Sequence, residues 1–224
     1  MAQTLADILR KKQERAERSD RPEVEWFSLK DNNPARVRFL QELDPDAPNY
    51  DSNKGSALFL VEHVSPQDYR RKAECTIETE GRCFACEMAQ EDPKPEGGTW
   101  FQKTNMYIQV FDAKTNSVRI LSRPAPGSFF DALYDYAADE NEGSIVGPTF
   151  KIQKGPGKTD PWTLMPTNNK LEVPETVELV DLSKAIGVKV EYAKQRNFYL
   201  PKGEQEQVTT VPSETQATNE NIDW

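Results

Sequence analysis

The stretch WFQKTNMYIQVFDAKTNSVRIL, residues 100–121, decides the fold class. Met106, Ile108 and Val110 point one way along it, while Lys103, Asn105, Tyr107, Gln109 and Phe111 point the other. A period of two marks a strand with one buried face. Thr115-Asn116-Ser117 is turn chemistry and Val118-Arg119-Ile120-Leu121 is extended again, so residues 105–121 read as a β-hairpin. The outward side mixes rings, amides and a cation. Such a face can stack unpaired bases and hold their backbone. It can equally lie under another element in a two-sided core, and this strand alone leaves both open.

The same period recurs on either side. Residues 23–40 read as strand, turn, strand, with Val37 and Phe39 on one face and Arg36 and Arg38 on the other. The two guanidiniums are a phosphate site or a solvated face. Residues 41–55 read as a polar loop, and Ala57–Val61 as a short buried strand leading to His63. Phe150–Gln153 runs as a strand into a Gly155-Pro156-Gly157 turn carrying Lys151, Lys154 and Lys158, without the spacing of a P-loop. Trp162–Met165 and Val188–Tyr192 read as further strands. Helices are fewer. Ser128 is set to cap one over 129–138, with Phe130, Leu133 and Tyr134 on one face, and a short one is expected over 175–187. The chain is therefore mainly β with some α.

With 224 residues, 36% hydrophobic and 29% charged, the chain accommodates one core with much of its length outside it. We divide it into an N-terminal arm (1–22), a core (23–200) and a tail (201–224). In the arm, Leu5, Ile8 and Leu9 form a brief helical stripe followed by charges only. Alone that helix is marginal, so the arm is a frayed end or a segment for self-association. The tail is rich in Gln, Thr, Glu, Ser and Asn, the composition of a disordered acidic segment. It closes on Asn221-Ile222-Asp223-Trp224. The apolar tip Ile222, Asp223 and Trp224 has no core to serve there and suits capture of partner proteins.

The net charge is −9, with the arm at +2 and the tail at −4, so the middle is acidic too. Phosphate contacts need Lys and Arg. A nucleic-acid face on this chain must be a local basic groove. Arg70-Arg71-Lys72 is the densest basic cluster of the middle, either a solvated loop or a polyanion contact. No run of eighteen apolar residues occurs and the start lacks the apolar stretch of a secretory signal, so a soluble cytoplasmic protein with no membrane partner is expected.

All three cysteines and the sole histidine fall between residues 63 and 86, spaced H-x11-C-x7-C-x2-C. Cys83 and Cys86 have the knuckle spacing that lets two thiolates grip one tetrahedral ion, and Gly81-Arg82 suits the turn before them. His63 and Cys75 would complete a closed Cys3His set, which is structural because a catalytic zinc keeps an open position. The alternatives are small core cysteines or a redox pair, but no βαβ context surrounds the C-x-x-C. Gathering of the only His with every thiol favours structural Zn2+ in a subdomain at about 60–90. With that His engaged, the commonest acid-base residue is gone and a non-enzymatic role is expected.

Glu25-Trp26 followed by Arg36-Val37-Arg38-Phe39-Leu40, the ordered set His63, Cys75, Cys83 and Cys86, the aromatic and basic strand after it and the acidic tail together resemble one family. It is that of the zinc-containing single-stranded DNA-binding, helix-destabilising proteins of tailed bacteriophages. The similarity spans roughly residues 20–165. It implies an OB-like β-barrel with an inserted zinc subdomain and a basic cleft lined by aromatics. It also implies an arm for cooperative binding and a tail that recruits replication or recombination proteins. By position, the implied metal ligands are His63, Cys75, Cys83 and Cys86. The groove candidates are Arg36, Arg38, Arg70, Arg71, Lys72, Trp100, Lys103, Tyr107, Phe111 and Arg119, with Lys151, Lys154 and Lys158 on the glycine-rich hairpin. The net acidic middle departs from the family and implies marked salt sensitivity. Two other classes stay open: a zinc-stabilised protein-binding adaptor, and a hydrolase built on Asp139-Glu140 or Asp44 and Asp46.

Overall fold

A computed structural model describes residue 4 and residues 22–29, 33–92, 98–139, 143–155, 157 and 161–200. The arm apart from Thr4 and Pro22, Lys158, and the tail with Ile222, Asp223 and Trp224 lie outside the described residues.

The alternation seen in the sequence becomes a seven-stranded antiparallel sheet. Its strands are β1 (Ala35–Phe39), β2 (Leu58–Val64), β3 (Lys72–Glu74), β4 (Lys103–Asp112), β5 (Ser117–Pro124), β6 (Thr149–Lys154) and β7 (Trp162–Thr167). The path is β3-β2-β4-β1-β6-β7, with β5 also on β4. β4 is the hub. It pairs with β2 from Glu62↔Lys103 to Leu58↔Tyr107, with β1 around Phe39↔Val110, and with β5 along the hairpin. Asn116, at φ 54, makes the expected turn, a backbone region Asn tolerates well.

Val37, Phe39, Met106, Ile108, Val110, Phe150 and Ile152 form the core on the inner face. Phe39 and Phe150 meet edge to face at 5.3 Å. Burying each such side chain is worth about 1.5–3 kcal/mol. Helix α3 (Ser128–Ala138) adds Phe129 and Leu133. Gly127, not Ser128, is its N-cap, and no side chain bonds there.

The sheet is open. Among the described residues no ladder closes β7 onto β5, so the expected barrel is not completed by hydrogen bonds. Glu25–Phe27 runs beside β5 instead, with Phe27 N–H donating to Ile120 O at 2.9 Å. Side chains span the remaining gap. Trp162 of β7 contacts Phe27 at 5.9 Å and Phe129 at 6.3 Å, and the Arg123 guanidinium lies over its ring at 3.8 Å.

The 41–55 segment is the expected polar loop, and it carries a buried anchor: Glu42 accepts hydrogen bonds from Ser144 Oγ and from the amides of Ile145 and Val146. One expectation fails in a physically clear way. Val188–Tyr192 is not a last strand. Glu74 N–H donates to Val188 O without a ladder continuing from it among the described residues, and helix α5 (Tyr192–Tyr199) follows. Gln195 and Tyr199, one turn apart, are its buried residues, a polar and aromatic face that hydrophobic periodicity overlooks. The helix within 175–187 is present but short, α4 (Leu182–Ala185), capped by Asp181 accepting from Ser183 N–H at 3.0 Å.

Candidate metal centre and basic face

Strand β2 presents His63, and Cys75 follows β3. Helix α1 (Ile77–Glu80) then ends on Gly81 at φ 70, a left-handed turn that suits glycine. The chain comes back with Cys83 as the N-cap of α2 (Phe84–Glu91) and Cys86 in its first turn. The four ligand atoms lie within 4.8 Å of one another. Cys75 Sγ and Cys86 Sγ are 3.6 Å apart, and Cys86 Sγ is 3.3 Å from His63 Nε2. Thiolates bound tetrahedrally at about 2.3 Å would sit about 3.8 Å apart. All three cysteines are free of disulfides. The set can hold a metal ion.

The surroundings prepare it. His63 Nδ1 is 2.6 Å from Trp100 O. A proton on Nδ1 satisfies that carbonyl and turns the Nε2 lone pair toward the sulfurs, the usual outer-shell arrangement of a ligating histidine. Burial opposes the Cys83 thiolate, but hydrogen bonds from His63 and from the backbone of Thr76 and Cys86 outweigh it and bring the thiol down to about 6. Burial pushes Cys75 and Cys86 up; both other sulfurs add to the rise at Cys86, while at Cys75 the Ile77 backbone and the Cys86 sulfur oppose it and Cys83 adds to it.

The lobe has its own small core. Cys83, Ala85, Trp100, Tyr199 and Leu200 are buried together, and Trp100 meets Tyr199 at 5.7 Å. Gln195 Oε1 accepts from Phe84 N–H at 2.8 Å and its Nε2 donates to Thr76 Oγ1 at 2.9 Å, tying α5 to the knuckle.

No protein-family model matches this chain. No curated protein and no solved structure matches it either.

The basic candidates divide. Arg71 donates to Phe198 O and Leu200 O at 2.9 and 2.8 Å and pairs with Asp68, so it ends α5 rather than facing a groove. Lys72 pairs at 3.0 Å with Glu62, which is 1% exposed, and its Nζ also contacts Tyr107 Oη. Arg119 is held by Glu25 at 3.2 Å and Asp112 at 3.7 Å. These three are corrections to the groove set: each cation is already committed within the fold.

The aromatic candidates are corrected too. Trp100, Tyr107 and Phe111 are at most 2% exposed and offer no ring face to a base. Trp100 belongs to the lobe core. Tyr107 packs with Ile120, Leu182 and Ile186, because α4 and the chain before it cover that side of β4. Gln109, fully buried, donates to Val180 O and accepts from Val180 N–H, both at 2.9 Å, like a strand partner. The outward face of β4 is a second core. Burial and the Glu62 hydrogen bond push the Tyr107 hydroxyl pKa up.

What stays open is the other wing. Arg36↔Lys151 and Lys151↔Met165 are direct cross-strand partners, so all three side chains share one face of β1, β6 and β7. Arg36 and Met165 are exposed, and Arg38 and Lys151 half-buried. Among the described residues no ion pair involves Arg36, Arg38, Lys151 or Lys154. Arg38 donates to Leu171 O at 3.0 Å. Lys103 is exposed at the start of β4. Arg70 is exposed beside Tyr69, which is 76% exposed and lies 5.6 Å under its guanidinium. Tyr69 and Lys170, the latter at the rim of a cavity by Arg38, are additions the sequence did not single out. A lone loop side chain carries no periodic signal.

Proposed function

We propose that this chain binds single-stranded DNA, with little sequence preference, through the β1–β6–β7 face. The observation that carries this reading is the Arg36–Lys151–Met165 row, cations and an apolar side chain together on one sheet face with, among the described residues, no acid paired to them. Cations neutralise phosphates, and the exposed Arg70–Tyr69 pair offers a further ring and charge. The wing, hub strand and α3 are read as an OB-like core whose last gap is filled by side chains.

The ion is proposed to be zinc, held by His63, Cys75, Cys83 and Cys86; thiolate and imidazole ligands in a closed set suit it. Its role is to order the lobe, with no chemistry of its own, and the chain is not an enzyme in this reading. The acidic tail would recruit replication or recombination proteins through Ile222 and Trp224, and the arm would serve self-association in a cytoplasmic setting. Among the described residues no helix is long and apolar enough to cross a membrane.

Titrating tryptophan fluorescence with oligo-dT and with duplex DNA at two salt concentrations tests this. Quenching by oligo-dT that weakens steeply with salt, and little response to duplex, is the expected result. A flat response to both would favour the adaptor reading. One observation speaks for that alternative: Phe59 and Tyr134, 40% and 56% exposed, flank Phe130 in a connected aromatic strip, with Phe59 at 5.7 Å and Tyr134 at 6.1 Å from it.

A further inference from the structure

The basic wing ends in a cavity of about 430 Å3, lined by Arg38, the Gly147–Thr149 turn into β6, Thr167 at the end of β7, and Asn168, Lys170, Leu171 and Glu172 after it. Arg38 lies two residues along β1 from Arg36 on the same face, about 7 Å further on.

The lining has two chemical halves. In the first, Thr149 Oγ1 accepts from Leu171 N–H at 2.9 Å and Thr167 Oγ1 from Asn169 N–H at 3.3 Å. Each hydroxyl therefore keeps its proton to donate. Arg38 has one nitrogen on Leu171 O, while its Nε is buried with no partner. Lys170 is exposed and, among the described residues, forms no ion pair. Two hydroxyls and two cations make a site for an anion. In the second half, the Asn168 amide both donates and accepts, and the Glu172 carboxylate accepts only. A bare phosphate would leave that half unused and would meet the Glu172 charge. A phosphate carrying a nucleoside uses both halves. Sites for small ligands run from about 300 to 1,000 Å3, so the volume suits one nucleotide.

We infer that this cavity takes a single nucleotide unit. Its phosphate is held by Arg38, Lys170 and the two threonine hydroxyls, and its nucleoside faces Asn168 and Glu172. The inference rests on the proposed strand binding for its biological sense: a strand crossing Arg36 and Lys151 would lodge one nucleotide here. The site itself can be tested without a strand.

Amide NMR of the full chain would be followed during titration with dCMP, with deoxycytidine and with inorganic phosphate. The expected result is shifts at the amides of residues 167–172 with dCMP at a Kd of about 1 mM. Deoxycytidine and phosphate alone should each act more weakly. Lys170→Glu should weaken dCMP about tenfold, and Asn168→Ala should weaken dCMP but not phosphate. Both positions are exposed, so both variants should keep the spectrum of the folded chain. Unmoved amides with dCMP, or equal shifts from phosphate and dCMP, would overturn the assignment. Oligo-dT binding with unmoved dCMP shifts would sink the cavity alone. Cavity shifts without oligo-dT binding would uphold the nucleotide site and sink the strand reading instead.

Discussion

The metal lobe and the β1–β6–β7 wing both carry clustered cations, and they use them in opposite ways. In the lobe, Arg71 closes α5, Lys72 sits on buried Glu62, and Arg82 pairs with Glu87 at 3.1 Å while stacking over Tyr192 at 4.1 Å. Of Arg70, Arg71, Lys72 and Arg82, Arg70 alone stays exposed without an ion pair among the described residues. On the wing, Arg36 and Lys151 face each other across two strands with no carboxylate between them. The contrast teaches that cation density along a chain does not measure cation availability. Availability is set by which acids and carbonyls the fold brings near. A region built around a polar network and a cluster that can hold a metal ion uses its charges internally. A region held by an apolar core below it can leave them free.

The largest test of that contrast is metal removal. Chelation, or Cys83→Ser, should cost the lobe about 5 kcal/mol or more. Amides of β3, α2 and α5 should lose hydrogen-exchange protection while those of β1 and β6 keep it. Simultaneous loss in both regions would mean they are one cooperative unit and would break the comparison. Next comes the double reversal Arg36→Glu with Lys151→Glu. It should lower oligo-dT affinity about 100-fold and reduce the salt slope by about two, with the melting temperature nearly unchanged. A smaller loss concerns Glu62→Ala, which strands Tyr107 Oη and the Lys72 ammonium at once and should destabilise by about 2 kcal/mol in urea unfolding, with no selective loss of DNA binding. Smaller still, Arg71→Ala should cost about 1 kcal/mol and leave affinity alone; a large affinity loss would return Arg71 to the groove.

The finest test is a proton count. Cys83, at about 6, is mostly thiolate at neutral pH, while Cys75 and Cys86 are held up as thiols by burial. Metal binding at pH 7 should therefore release about two protons, not three, in calorimetry across buffers of different ionisation enthalpy. A lowered Cys83 favours the metal-ready form above its own value. As pH falls below about 6, the third thiol also protonates, and metal affinity should drop more steeply than it does above.

Much of this was legible because it is local. Val37 and Phe39 against Arg36 is a period-two pattern, and the strand it implies sits where expected. The four candidate ligands stood out because the chain holds no other His or Cys. What escaped depends on segments far apart in sequence. Tyr107 looked outward, and it does point to that face, but the chain around Val180 and Leu182 lies over it and over Gln109. Arg71 looked free because its acceptors are the carbonyls of Phe198 and Leu200. Lys72 looked free because Glu62 meets it only across the β2–β3 pairing. Trp100 looked like a stacking ring because nothing local says that Tyr199 will meet it.

The stretch from Val180 to Leu200 fastens to the β4 hub and to the lobe, first on Gln109 and Tyr107 and then on the knuckle through Gln195 and Tyr199. This has a consequence for biosynthesis. While the ribosome is still making those residues, the ligands from His63 to Cys86 have already emerged, yet their outer wall has not. A nascent chain would thus present loosely caged thiols to the cell, and a metal ion could be locked in only after helix α5 docks.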